Sequence, residues 1–415
     1  MQPTAQKAPE IARLPRLRWY ICALLFFATT INYIDRQVLG LLKPIISREL
    51  HWTESDFGWI ISSFQTAYAL MMPIAGRIID WLGPKRGYAI AVIVWSIAAM
   101  SHSLARNVFQ FAAARFGLGL GESANFPAAI RTVADWFPQQ ERALATGLFN
   151  SGTNVGAIVA PLMVPLVTVA FGWRAAFLFT AGLVILWLIL WFTGYRREAP
   201  LRGARSVEAG PPYTSLLADR GAWAFLIGKF MTDPVWWFYL YWLPGFLNKN
   251  YGLEIAAMGP PLVTVYLLAD GGSIAGGWFS SFLLKIGWTP NRARKTAMLT
   301  CAIAVTGVMF VPFTHGNLWL AVALIGLATG AHQGWSANLF TLPSDMFPEK
   351  AVGSVVGLGG LGGAIGGALV APMVGYWLDF SHGAYGPLFI AAGSMYLIAL
   401  AIIHLLVPKL ERSAT

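Results

Sequence analysis

Four ionisable residues stand inside hydrophobic stretches of this 415-residue chain, where an unpaired charge costs several kcal/mol. Asp35 and Arg36 are adjacent in Asn32-Tyr-Ile-Asp35-Arg36, and Arg115 and Glu122 share a second apolar stretch. Neighbours on a helix point about 100° apart, so Asp35 and Arg36 address different surroundings. Seven residues make about two turns, so Arg115 and Glu122 fall on one stripe. Two arginines and two acids balance only while both acids are ionised. Protonating Asp35 or Glu122 would free an arginine to bind an anion, which is a way to couple proton and anion movement. Arg36 is the candidate for a substrate carboxylate, because a guanidinium stays charged and offers a planar fork. The same four charges could instead form a static network that locks the helices together.

Other polar groups interrupt apolar segments further along. Gln65 and Tyr68 lie in one; Asp233, Trp236, Trp237, Tyr239 and Tyr241 in another; His332, Gln333, Trp335, Ser336 and Asn338 in a third. Rings with polar tips suit a polyhydroxylated ligand, whose C–H faces stack and whose hydroxyls bond. Helix packing or an interfacial aromatic belt accounts equally well for several of them. Asn150 and Asn154 share a face at i, i+4, among glycines that permit close helix approach. The glycines of 357–367 lie within an apolar helix with no strand before them, which excludes a dinucleotide cradle. No Walker sequence, Ser/His/Asp set or metal-ligand spacing occurs, so neither an ATP-driven pump nor an enzyme is expected, and no cofactor beyond a coupling proton.

These residues need a scaffold, and the composition says which. The chain is 56% hydrophobic and 12% charged, against about 25% charged in soluble domains. Apolar runs long enough to cross a bilayer are expected at 18–41, 55–81, 87–105, 109–136, 141–170, 172–195, 221–248, 256–286, 295–314, 317–347, 350–380 and 384–407. The reading is an all-α membrane protein of twelve transmembrane helices in two six-helix bundles, 18–195 and 221–407. A polar linker, 196–220, joins them, and tails 1–17 and 408–415 flank them. Net charge is +10, but the basic residues alternate between loops instead of lining a groove, so nucleic acid is not the partner. With both termini inside, only Lys43, Arg48, Arg106, Arg174 and Lys249 of the loop cations fall outside, which fixes cytoplasmic termini. The first apolar run is a full span with no cleavage site behind it, so no removable signal is expected. Cys22 and Cys301 fall in apolar segments and read as small buried hydrophobes. A weak internal repeat, 76–86 and 277–287, supports two halves with substrate bound between them at mid-membrane.

Several motifs resemble a known family. Gly76-x3-Asp80-x2-Gly83-x-Lys85-Arg86 is similar to the 2–3 loop motif of the major facilitator superfamily. The resemblance implies a cytoplasmic charge clasp there that stabilises the outward-open form. Arg115-Phe-x-Leu-Gly119-x-Gly121-Glu122, Phe126-Pro127, Trp136-Phe-Pro-x-x-Glu141-Arg142 and Gly172-Trp-Arg174, with the Asn32–Arg36 segment, resemble its anion:cation symporter branch. Thr232–Pro244, Ala269–Ser273 and Ala337–Pro348 look like bacterial hexuronate transporters. The resemblance covers nearly all of 18–407. It implies proton-coupled uptake of glucuronate or galacturonate across a bacterial inner membrane by a chain competent as a monomer. By that similarity Arg36 would meet the carboxylate. Asp35 and Glu122 would carry protons, and Arg115 would modulate Glu122. Tyr33, Tyr68, Thr153 and Trp335 would line the cavity. Span seven carries Lys229 but no arginine, which argues for one anionic group on the substrate and against organophosphate exchange. Thr153 stands where some aldonate carriers have Gln, and an aldonate or other small monocarboxylate is the alternative cargo.

Overall fold

A computed structural model describes residues 15–137, 139–195 and 212–410, and all regular structure among them is helical. In lipid every backbone amide must find its partner within the chain, which leaves helices as the economical solution. The N-terminal half comprises α1 (Pro15–Leu50), α2 (Glu54–Leu82), α3 (Pro84–Ser101), α4 (Val108–Glu122), α5 (Asn125–Trp136), α6 (Gln139–Phe171) and α7 (Trp173–Gly194). After a short α8 (Tyr213–Leu216) come α9 (Arg220–Tyr251), α10 (Gly259–Lys285), α11 (Pro290–Val305), α12 (Leu318–Leu339), α13 (Leu342–Met346), α14 (Glu349–Phe380) and α15 (Gly386–Leu406).

These make twelve crossings, because α4 with α5 and α12 with α13 are single spans broken in the middle, and α11 continues as a 3-10 turn over Thr306–Phe313. Local signals set the boundaries. Thr53 and Asp56 form a capping box that starts α2, and Gly83 at φ +73° turns α2 directly into α3. Two expectations need correction. α1 runs through Pro44 to Leu50 instead of ending near 41, since polar residues beyond the hydrocarbon need not break a helix; its end is held by Glu49, which accepts from Trp173 Nε1 at 2.7 Å and Arg174 at 3.0 Å. The expected linker contains α8, and α9 already begins at Arg220; the rest of that segment, 196–211, and the tail 1–14 lie outside the described residues.

Among the described residues, eight spans are long and apolar enough to cross a membrane on length and composition alone. The four that are not, α2, α4–α5, α9 and α12, carry Gln65, Arg115 with Glu122, Lys229 with Asp233, and His332 with Asn338. α1 qualifies although it carries Asp35 and Arg36, because the rest of its length is strongly apolar.

The halves meet along three helix pairs, α1 with α9, α2 with α14, and α6 with α10, where Gly259 lies against Pro161 O. α1 and α9 run parallel: Gly40 lies against Leu240 and Tyr241, Gly245 against Lys43, and Arg48 donates to Asn248 Oδ1 at 3.0 Å. α2 and α14 run antiparallel, with Gly375 on Glu54, Gly58 on Ala371, Gly367 beside Gln65 and Gly360 beside Met72. One apolar core spans the C-terminal half and the part of the N-terminal half remote from both chain termini; the rest of the N-terminal half has a core of its own. The halves therefore merge at the end opposite the termini and part towards the terminal end. Hydrogen bonds agree. Among the described residues, those joining the halves lie at or beyond Ser62, which donates to Ala368 O at 2.7 Å. The Glu54 and Ser55 amides donate to Asp379 at 2.8 and 2.7 Å, so a carboxylate of one half caps a helix of the other.

Candidate functional site

Arg36 is the centre of the polar interior. Its Nε donates to Glu122 Oε2 at 2.6 Å, joining α1 to the last residue of α4, with both side chains almost fully buried. Arg115, two turns earlier on α4, donates from Nη2 to Arg36 O at 3.1 Å. The expected stripe of Arg115 and Glu122 thus closes on α1. α4 also presses tightly on α2, because Gly119 has no side chain; a Cβ there would stand 2.4 Å from Phe64 O. This brings Phe64 and Tyr68 over the guanidinium. Tyr33, Phe64, Tyr68 and Trp237 surround the Arg36 Cζ with centroids at 5.1, 5.3, 5.0 and 5.8 Å, and Arg115 lies 5.9 Å from the Tyr241 ring. The box therefore takes residues from both halves.

This interior is short of partners. Arg36 Nη2, Arg115 Nε and Nη1, Glu122 Oε1, both amide atoms of Asn32, Gln65 Nε2, Trp237 Nε1 and Tyr241 OH are buried with no hydrogen-bond partner. Buried polar groups are normally satisfied. So many converging donors around one arginine suit a polar anionic ligand. Asp35 faces the other way, towards Thr180 of α7, whose hydroxyl donates to Phe177 O at 3.1 Å and leaves both carboxylate oxygens without a hydrogen-bond partner. The adjacent acid and arginine diverge as the helix requires.

The C-terminal candidates need correction. Trp236 turns away from Arg36 and stacks on His332 at 5.3 Å; Trp237, one position on, takes the place over the guanidinium. His332 is occupied by Trp236 and by Tyr396, 2.5 Å from its Nδ1. Trp335 is buried edge-on to Tyr396. Asn338 donates to Gly276 O at 3.0 Å and Gly334 O at 2.9 Å. The first of these joins α10 to α12, which approach so closely that a Cβ at Gly272 would meet Gly330 O at 2.1 Å. His332 and the Asn338 amide nitrogen find these partners within the C-terminal bundle, while Trp335 Nε1 and Asn338 Oδ1 are buried without one; small residues and polar cross-links are how membrane helices associate without a hydrophobic drive. Tyr241 does reach the cluster, stacking on Trp237 at 6.0 Å. On α6, Thr153 donates to Asn150 O and to Asn154 Oδ1 at 2.8 and 3.1 Å, beside Gly156, which packs on Tyr33.

Sequence reasoning passed over Phe64 and Asn32 as site members and did not separate Trp237 from Trp236. The i, i+4 spacing of Asp233, Trp237 and Tyr241 puts all three on one stripe and was the available signal. A further buried pair lies on that stripe, Lys229 Nζ to Asp233 Oδ2 at 2.8 Å. Of the 2–3 loop motif, Gly83 makes the turn, Lys85 donates to Tyr195 O at 2.5 Å, Arg86 is exposed, and Gly76 has open space before it. The Asp80 side chain lies outside the described residues.

Comparison with known proteins places this geometry. Over 400 residues the chain is 29% identical to a hexuronate transporter of Escherichia coli (strain K12), covering 91% of each chain. It is 30% identical over 290 residues to a galacturonate transporter of Dickeya chrysanthemi, covering 66% of this chain and 84% of that one. The fold matches a bacterial homologue of the human lysosomal transporter Spinster, solved inward-facing and occupied, with a TM-score of 0.77 at 20% identity over 96% of this chain and 99% of that one. The Major Facilitator Superfamily profile matches residues 25–371, and with twelve crossings closed around a shared polar interior the chain belongs to that family of membrane transporters.

Proposed function

We propose that this transporter carries hexuronates, glucuronate or galacturonate, into the cell together with protons, by alternating access. The observation that carries the reading is the half-used guanidinium of Arg36. Its Nε is held by Glu122 while Nη2 points, unpaired, into an aromatic box built by both halves. A carboxylate entering the box competes with Glu122 for the arginine, and protonation of Glu122 releases the arginine to it. Substrate and proton thus favour each other through one ion pair. Asp35, buried without a hydrogen-bond partner against α7, supplies a second site at which a proton neutralises a costly charge. The relatives named for hexuronate and galacturonate support the cargo.

With both termini in the cytoplasm of a bacterial inner membrane, the closed end is the outer one, and this structure is the form that discharges inward. Rocking to the other form must part the Asp379 cap from the start of α2. Proteoliposomes test the reading. Arg36→Ala should lose glucuronate binding, and Glu122→Gln should keep counterflow exchange but lose uptake against a gradient. Concentrative uptake by Glu122→Gln would refute the coupling. A thermal-shift response to gluconate or galactonate but to no hexuronate would move the cargo to aldonates.

A further inference from the structure

Lys229 and Asp233 form a buried ion pair that the Arg36 cluster does not use. Burying an ion pair costs desolvation that its attraction often fails to offset, though a pair between helices at least joins two elements. This one links none, because both partners sit one turn apart on α9. Its position relative to Arg36 is set by the parallel register of α1 and α9. Gly40 lies on Leu240 and Tyr241, Arg36 faces Trp237, and Tyr33 is within electrostatic reach of Asp233. Asp233 therefore stands one turn, about 6 Å, along α9 from the ring that faces Arg36. That displacement is towards the terminal end, where the halves part.

The surroundings keep the carboxylate presented. Lys229 donates to Oδ2, and its ammonium lies 4.4 Å above the Phe340 ring. Gly363 of α14 leaves the room the carboxylate occupies, since a Cβ there would fall 2.1 Å from Oδ2. The Asp233 side chain keeps 18% of its surface and that of Lys229 only 9%, so the acid is the more accessible of the two.

We propose that Asp233 forms the second subsite of the cavity, accepting the hydroxyls of a sugar acid whose carboxylate lies on Arg36 and turning away a second carboxylate. This rests on the hexuronate reading. An ionised carboxylate is an acceptor only, with two oxygens able to take adjacent hydroxyls in charge-assisted bonds. The same charge repels an anion, so a sugar monoacid fits and the corresponding diacid does not. Lys229 is a positioning residue, fixing the direction of the Asp233 carboxylate through Oδ2.

Titration calorimetry on the purified full chain tests this with glucuronate and glucarate, which differ by the second carboxylate. The wild type should bind glucuronate at least tenfold more tightly. Asp233→Asn should bind glucuronate about tenfold less tightly and glucarate more tightly than wild type, because Lys229 is then free to meet the second carboxylate. A gain of glucarate binding does not arise from misfolding. Lys229→Gln/Asp233→Asn strands no charge and should bind both ligands weakly. Glucuronate and glucarate affinities within twofold of wild type in Asp233→Asn, or an unchanged glucuronate affinity in the double variant, would overturn the subsite alone. A wild type that binds no sugar acid would bring down the hexuronate reading and this subsite together.

Discussion

The two ion pairs beside the polar interior, one from each half, are built in opposite ways. In the N-terminal half Arg36 reaches from α1 to Glu122 at the end of α4, 86 residues away, and Arg115 reaches back to the α1 backbone. In the C-terminal half Lys229 and Asp233 pair within one helix. A pair between helices depends on where those helices stand, so ligand, proton and helix movement can all act on it. A pair within one helix travels with that helix and keeps its charge pattern in every state. The first arrangement suits coupling and the second suits a fixed recognition surface.

The largest expected effect breaks the interhelical pair. Arg36→Ala leaves Glu122 buried without its partner, a loss of about 3–5 kcal/mol where both ions are desolvated, and sugar-acid binding should vanish in calorimetry. Arg36→Lys keeps the charge without the planar fork and should recover only part of it.

Next comes a contrast between the two acids, read as melting temperature in detergent. Glu122→Gln uncouples Arg36 and should lower it by several degrees. Asp35→Asn removes a carboxylate that has no hydrogen-bond partner and should leave it unchanged or raise it. A larger loss for Asp35→Asn would mean that Asp35 and not Glu122 is the acid that holds the network.

A smaller effect concerns the joint between the halves. Asp379→Ala leaves the Thr53 cap but removes the acceptor of the Glu54 and Ser55 amides, worth about 1–3 kcal/mol over the two bonds, and should shift the population towards opening at the end remote from the termini. Spin labels at the exposed His51 and His382 positions, one on each half, would show a longer distance component. An unchanged distribution would mean that the α1–α9, α2–α14 and α6–α10 packing alone holds that end shut. The smallest effect is Asn338→Ala. Losing its bond between α10 and α12 should cost about 0.6–1.7 kcal/mol of stability and leave glucuronate affinity as it was. A loss of affinity would return Asn338 to the substrate.

Much of this architecture was legible before any helix was placed. Period and length gave the twelve crossings, since a bilayer sets one length for every span. The buried charges gave Asp35, Arg36, Arg115 and Glu122, since hydrocarbon makes each of them conspicuous. Aromatic and amide residues were less legible. Trp236 and Trp237 are equivalent in composition, and only the rotation of α9 decides which faces Arg36. Asn338 and His332 have the chemistry of ligand contacts but serve helix packing, because membrane helices use the same polar groups to hold one another.

The sequence by itself determined that the protein crosses the membrane many times, that arginines stand within its spans, and that acids accompany them. Those conclusions rest on the energy of single residues in lipid, which needs no neighbours. Tertiary structure alone decided that Glu122 and not the adjacent Asp35 pairs with Arg36, and that the arginine's box draws Trp237 from the other half. It decided too that the bundle is shut at the end remote from its termini. Each of these depends on helix rotation and register, which are set by contacts between residues scores to hundreds of positions apart.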